Sequence, residues 1–348
     1  MRRWILSLVL FIVSAAAIIA GWVAWELRTP YYGSSNAETF VEIPRGAALS
    51  VIAELLTKAG VLHARIPFLL NVRWSNSARH LQAGEYRFTS PATPEQIVQR
   101  LIRGDVFCIS ITIPEGLTAH ETIEHVARAG LGNLNELENA LQRTDWIGDL
   151  DPGARSLEGY LFPETYRFSH KVTSEETLKA MVDQFKARFA KLKEAHPIPK
   201  DWRISQIVIL ASIVEKEVKI PQERPLVASV LINRLERGMS LACDPTIIYA
   251  LKLAGNYDGN IRKADLEIDS PYNTYIHAGF PPGPIANPGE DSLKAALEPQ
   301  KTDFLYFVSR NDGTHQFSKD FRSHLNAVAK FQKPLAIHRG RVPVKNDE

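Results

Sequence analysis

Cysteine is scarce in this chain: Cys108 and Cys243 are the only two among 348 residues, and they lie far apart. Two cysteines make no disulfide framework, even in an oxidising compartment where they could pair, so the fold must rest on a core. Both are expected as small buried thiols. Charge of one sign is lacking as well. The net charge is +2 with 23% charged residues, and no concentrated basic patch recommends nucleic acid as a partner. The G-x-G-x-x-G and Walker A patterns are missing, which removes the usual phosphate cradles. So are H-E-x-x-H and paired cysteines, so no zinc site and no cofactor are expected. His315 and His324, nine residues apart, read as structural or solvent-facing. No G-x-S-x-G elbow or Ser-x-x-Lys motif occurs; Ser212 and Lys216 share a helical segment, but nothing else recommends a Ser-Lys hydrolase.

What is present begins at the amino terminus. Trp4 to Trp25 contains no charged residue, and some 22 residues at about 1.5 Å each span about 33 Å, enough to cross a hydrocarbon core. Trp4, Trp22 and Trp25 stand at its ends, where indole rings favour the interface. Arg2 and Arg3 favour a cytoplasmic tail (1–3), which puts everything beyond about residue 27 on the far side of the inner membrane. A cleaved signal peptide is the competing reading, because Ala15-Ala16-Ala17 resembles a cleavage site; Ile18 and Ile19 carry the apolar run past it.

Residues 26–40 read as a tether. A small β-α-α-β-α unit (41–105) follows: a strand at Phe40–Ile43, helices at 49–59 and 66–74, a strand at Gly84–Phe88, and a helix opened by the capping box Thr93-Pro-Glu-Gln96 and stopped at Gly104. Residues 106–155 form a connecting segment with a strand at Cys108–Ile113 and a helix opened by Thr118-Ala-His-Glu121. From 156 to 335 helices alternate with loops rich in Gly, Pro, Tyr and Asn. Residues 157–166 read as a loop. Helices are expected at 174–193, around Glu215, at 226–237, from Cys243-Asp-Pro-Thr246, at 292–297 and at 319–331, with strands at 304–308 and 315–317. The tail 336–348 is polar and basic. Trp146 and Trp202 read as packing residues. The fold class is α+β, mainly helical, behind a transmembrane helix.

Ile204, Ile207, Val208 and Ala211 recur at helical spacing, and Glu215 lies at the rim of that stripe. A carboxyl held in apolar surroundings keeps its proton to higher pH, as a general acid needs. Glu217 lies about 200° round the helix, on another face. Lys219, at i+4 from Glu215, must point elsewhere, because an ion pair would favour the charged form. Loops carrying aromatic faces and amides around an acid suit a sugar-binding cleft. Glycoside chemistry commonly uses two carboxylates; Glu158, Glu164, Glu223 and Asp244 are possible partners, and the sequence selects none.

Val208–Glu217, Ala228-Ser-Val-Leu-Ile-Asn-Arg-Leu235, Asp244-Pro-Thr-Ile-Ile-Tyr249, Tyr272-Asn-Thr-Tyr275, Gly279-Phe-Pro-Pro-Gly-Pro-Ile285 and Glu158-Gly-Tyr-Leu-Phe-Pro-Glu-Thr-Tyr166 together resemble the YceG-like endolytic murein transglycosylases, over roughly residues 40–335. The resemblance implies a single-pass inner-membrane enzyme with a periplasmic catalytic domain and a LysM-like module at 41–105. It implies cleavage of MurNAc–GlcNAc bonds in nascent peptidoglycan strands with formation of 1,6-anhydro-MurNAc ends, and an association with peptidoglycan synthases. It puts the catalytic acid-then-base on Glu215, so a second catalytic carboxylate is not required. Asp244, Asn273, Tyr275, Glu158 and Tyr160 are then the expected substrate-binding residues. One departure is visible: Ala242-Cys243 stands where the family tends to carry a polar pair before Asp-Pro-Thr. A hydrolase of the same fold and a non-catalytic glycan-binding scaffold remain alternatives.

Overall fold

The computed structural model describes residues 2–33 and 38–332; part of the expected tether (34–37) and the expected basic tail lie outside the described residues. The apolar run forms α1 (Arg2–Arg28), the one helix among the described residues long and apolar enough to cross a membrane. The chain divides into two compact units. One takes the described residues up to Ile109 together with Arg167–Lys171; the other takes Ser110–Tyr166 and the described residues from Val172 onward.

In the first unit β1 (Thr39–Ile43) pairs antiparallel with β2 (Gly84–Phe88), Val41 opposite Tyr86. Between them come α2 (Leu49–Lys58) and α3 (Arg65–Trp74), and after them α4 (Pro94–Arg103). The Thr93 capping box forms as the sequence predicts: Thr93 Oγ accepts from the Gln96 N–H at 3.2 Å and Gln96 returns a carbonyl to the Thr93 N–H at 2.9 Å. Gly104 ends α4 at φ +68°, the left-handed region where a Cβ is costly. Leu56, Phe68, Val72, Tyr86, Ile97 and Leu101 are fully buried between the helices and the two-stranded sheet, each large apolar side chain contributing on the order of 2 kcal/mol. The segment expected as a tether is tied down where it is described. Tyr31 exchanges backbone hydrogen bonds with Ala92, and the Gly33 N–H donates to Gly60 O at 2.8 Å.

The second unit holds α5 (Ala119–Arg128), α6 (Leu134–Ala140), α7 (Ser174–Ala195), α8 (Ile204–Glu217), α9 (Arg224–Glu236), α10 (Asp244–Leu253), α11 (Glu290–Leu297) and α12 (Phe321–Phe331). β5 (Tyr306–Ser309) pairs with β6 (His315–Ser318), and two short strands, β3 (Ile109–Thr112) and β4 (Thr165–Phe168), fall where the chain passes from one unit to the other. β4 lies partly inside the stretch read as loop; its four residues are too few for alternation to stand out. α8 is the axis of this unit, packed on α9, α10 and α11. Every residue from Ile207 to Val214 is buried, so the apolar stripe read from the sequence is one sector of a helix covered all round. Val218 is extended (φ −116°, ψ 120°) and ends it, and Val-Glu-Lys-Glu217 emerges among different neighbours on each side.

Candidate functional site

The two acids at the end of α8 have separate surroundings. The Glu215 side chain is only 6% exposed, yet its cover is polar. One oxygen accepts from Arg224 at 3.1 Å and the other from the Gly289 N–H at 3.0 Å. Arg224, itself buried, also reaches Glu115 and Asp291, each at 3.4 Å. The Glu115 carboxyl is held above the usual range, first by burial and next by the Glu215 charge, against the pull of Arg224. Lys219 is exposed, and the cation at Glu215 is Arg224 instead. The expectation of apolar surroundings for Glu215 is corrected here: both oxygens serve as acceptors, tying α8 to α9 and to the loop before α11.

Two of the expected substrate residues, Asp244 and Tyr275, stand near Glu217. Burial, and next the charge of Asp244, push its carboxyl up to about 7, while a hydrogen bond from the Cys243 thiol and the charge of Arg234 act the other way. Cys243 and Asp244 open α10, Cys243 at the N-cap position and Asp244 at the first helical one. Burial and the neighbouring Glu217 charge keep the Cys243 thiol protonated well past its ordinary range, and the thiol donates to Leu241 O at 3.5 Å while standing beside Glu217. Asp244 is exposed and accepts from the Tyr275 hydroxyl at 2.5 Å. Asp244, Tyr275 and Glu217 thus form one constellation at the end of α8. Ala242 holds φ +49° immediately before it, a conformation uncommon for a residue with a Cβ.

Asn273 and Tyr160, expected on the substrate, are buried with their polar groups bonded within the chain. Asn273 is fully buried; its amide donates to Leu266 O and Ile268 O, and its carbonyl accepts from the Tyr275 N–H at 3.0 Å, which fixes Tyr275. Tyr160 is fully buried and donates to Asp151 at 2.9 Å. Glu158 is buried with one oxygen on the Ala119 N–H at 2.9 Å and the other on the Tyr249 hydroxyl at 3.2 Å. Burial pushes its carboxyl up to about 8. It edges a cavity of ≈ 590 Å³ that Tyr249, Lys252 and Tyr257 also line. α10 runs from Asp244 to that cavity, so Glu158 belongs to a neighbouring polar hollow, not to the constellation at Glu217.

The remaining candidates are committed elsewhere. Glu164 pairs with Arg188 at 2.7 Å and Glu223 with His315 at 2.6 Å. His324 stacks on Tyr306. Ser212 is buried, donates to Ile209 O and accepts from the Ile285 N–H, and Lys216 donates to Gly116 O, so neither serves a Ser-Lys pair. Trp146 is buried under Arg143, and Trp202 packs edge-on to Phe280. Both cysteines are free; Cys243 is buried as expected, but Cys108 is exposed.

Asn287 escaped the sequence reading altogether. It is fully buried; its carbonyl accepts from Gly159 and Leu161 N–H at 2.9 and 3.0 Å, and its amide donates to Leu117 O and Thr122 Oγ. The Glu158 loop, the start of α5 and the proline-rich loop are thereby joined at one side chain. Only its place in Pro-Ile-Ala-Asn-Pro-Gly289 hinted at a role.

The YceG-like family model matches residues 41–330. An endolytic murein transglycosylase of Bacillus subtilis (strain 168) is 32% identical over 322 residues, covering 88% of each chain. An endolytic murein transglycosylase of Streptococcus pneumoniae serotype 2 (strain D39 / NCTC 7466) is 28% identical over 94% of this chain, which spans 65% of its length. Among solved structures, a yceG-like protein of Listeria monocytogenes superposes with a TM-score of 0.57 at 30% identity, over 84% of this chain and 99% of that one.

Proposed function

The chain belongs to the YceG-like family, and from that membership we propose that it is a membrane-anchored endolytic murein transglycosylase. It cleaves MurNAc–GlcNAc bonds in nascent peptidoglycan strands and leaves 1,6-anhydro-MurNAc ends. α1 anchors it in the inner membrane, the residues beyond face the periplasm, and residues 41–105 serve as a LysM-like module. Release of anhydro ends terminates or trims strands made by peptidoglycan synthases, which are its working partners.

The observation that carries the chemistry is Glu217, raised to about 7 beside Asp244 and Tyr275. A carboxyl there is part protonated at neutral pH and can act in both directions. It gives its proton to the glycosidic oxygen as the bond to muramyl C1 breaks, and the GlcNAc leaves with a free 4-hydroxyl. Positive charge develops at C1 and the ring oxygen, and Asp244, fixed by Tyr275, is the anion that faces it. The Glu217 carboxylate then takes the proton of the muramyl C6 hydroxyl as O6 bonds to C1. No water is consumed, and Glu217 ends protonated as it began. This moves the acid-base role from Glu215 to Glu217 and leaves Glu215 to hold the end of α8 in place through Arg224 and Gly289.

Muropeptide mass spectrometry on nascent, uncrosslinked glycan tests it, with the full chain beside Glu217→Gln and Glu215→Gln. Anhydro ends are expected from wild type. Glu217→Gln should lose on the order of 10²- to 10⁴-fold, the usual contribution of a general acid-base group, while Glu215→Gln keeps measurable turnover. A dead Glu215→Gln beside an active Glu217→Gln returns the role to Glu215. Reducing ends, heavier by one water, make the protein a hydrolase; no release at all makes it a scaffold.

A further inference from the structure

α1 contains 27 residues, about 40 Å at 1.5 Å per residue against a hydrocarbon core of about 30 Å. Counted from Trp4, about 20 residues cross that core, which brings the turn from Trp22 to Arg28 to the far headgroup layer. It is in this turn that α1 meets protein. Val23 and Glu26 are buried, while Trp22 and Trp25 stay exposed, and the covering elements are α3 and α4. Glu26 lies 2.7 Å from Nδ1 of His63, two residues before α3, and the Tyr31 ring sits 5.0 Å from the same imidazole. The start of α3 is therefore pinned to the part of α1 that leaves the bilayer.

The outward face of α3 is apolar where a soluble helix would be polar. Ile66 is 56% exposed and Trp74 is 73% exposed; eight residues apart, they share one face, with half-buried Leu70 between them. Exposed Arg73 flanks that face and exposed Arg79 follows it, while Arg65 at the start of the helix reaches Glu54 at 3.7 Å. Aliphatic and indole groups bordered by arginines match an anionic lipid interface, the apolar groups seated among headgroups and the guanidiniums on phosphates. We propose that the Ile66–Leu70–Trp74 face of α3 docks on the anionic surface of the same bilayer that α1 crosses. The proposal rests on α1 being a membrane span. Its consequence is that the first unit lies on the membrane in a fixed orientation, not at the end of a free tether.

Spin labels on the full chain in nanodiscs of phosphatidylethanolamine and phosphatidylglycerol test this by depth, in a Cys108→Ser background. Labels go at Ile66→Cys and Trp74→Cys, at exposed Ser50→Cys on α2 as the aqueous reference, and at Ile12→Cys within α1. The expected result is an oxygen-to-nickel accessibility ratio at 66 and 74 several-fold above that at 50, falling when phosphatidylcholine replaces the anionic lipid. Labels at 66 and 74 as aqueous as the one at 50, with the label at 12 deep in hydrocarbon, overturn the docking alone. An aqueous label at 12 overturns the membrane span and the docking with it. Labels at 66 and 74 that are as aqueous as the one at 50 on lipid alone and lose access to nickel only when glycan is added assign Trp74 to sugar stacking and also overturn it.

Discussion

Asp244→Asn separates proton tuning from substrate contact at Glu217. The Glu217 carboxyl stands at about 7 against an ordinary 4.5, and the Asp244 charge is the second cause of that rise, after burial. Removing it should lower the apparent pKa by on the order of one unit. The sign follows from the acid role: the working form is protonated, so activity falls as pH rises through the pKa. At pH 7.5 the protonated share is roughly a quarter for a group near 7 and roughly 3% for one near 6, about an eightfold loss. At pH 5 both proteins are almost fully protonated and that loss disappears. The assay is anhydro-end release at saturating glycan across pH 5 to 8, comparing the alkaline limbs. Lost contact between Asp244 and the developing cation would lower the rate equally at every pH and is read separately. A wild-type-to-variant ratio that stays constant from pH 5 to 8 refutes the tuning argument.

Three further perturbations probe the supports of the site. Arg224→Leu leaves Glu215, Glu115 and Asp291 without their cation and should cost about 3 to 5 kcal/mol, read as a lowered thermal midpoint with unchanged far-UV circular dichroism at low temperature. Asn287→Ala strands the buried N–H groups of Gly159 and Leu161 and should cost about 2 to 4 kcal/mol; hydrogen exchange should quicken first in 157–161. Glu158 is held at about 8 in the folded chain against 4.5, so the native state keeps a proton that the unfolded chain releases across this window. Stability is fully present below about 4.5 and is lost as pH rises toward 8, by at most about 1.4 kcal/mol per unit. Glu158→Gln, neutral at every pH, should flatten that slope in denaturant titrations at pH 5, 6.5 and 8.

The elements were legible wherever their punctuation was local. Thr93 and Thr118 announce their helices with side chains three residues apart, and Gly104 announces the end of the first, so both helices begin, and the first stops, where the sequence places them. β4 carries no such mark. The site was legible in part for the same reason. Asp244 and Tyr275 could be named from the chain, but the helical wheel ranked Glu215 over Glu217 by asking which acid continued an apolar stripe. α8 is buried on every side, so the stripe decides nothing there. What distinguishes the two acids comes from elsewhere: Arg224 and Gly289 at one, Cys243 and Asp244 at the other. Asn273 looked like a sugar ligand because buried loop-capping amides and ligand amides share one residue type.

The Asn287 clamp also sets a timetable. Its carbonyl serves N–H groups that precede it by 126 and 128 residues, and closing so long a loop is slow compared with forming any single helix. While the chain emerges from its amino terminus, the Glu158 loop has no acceptor for those groups until residue 287 has appeared. Glu217 and Asp244 are synthesised well before the Glu158 loop can close on Asn287. The second unit thereby closes late, after the chain from α5 to α10 has been made and only once the segment leading into α11 has emerged.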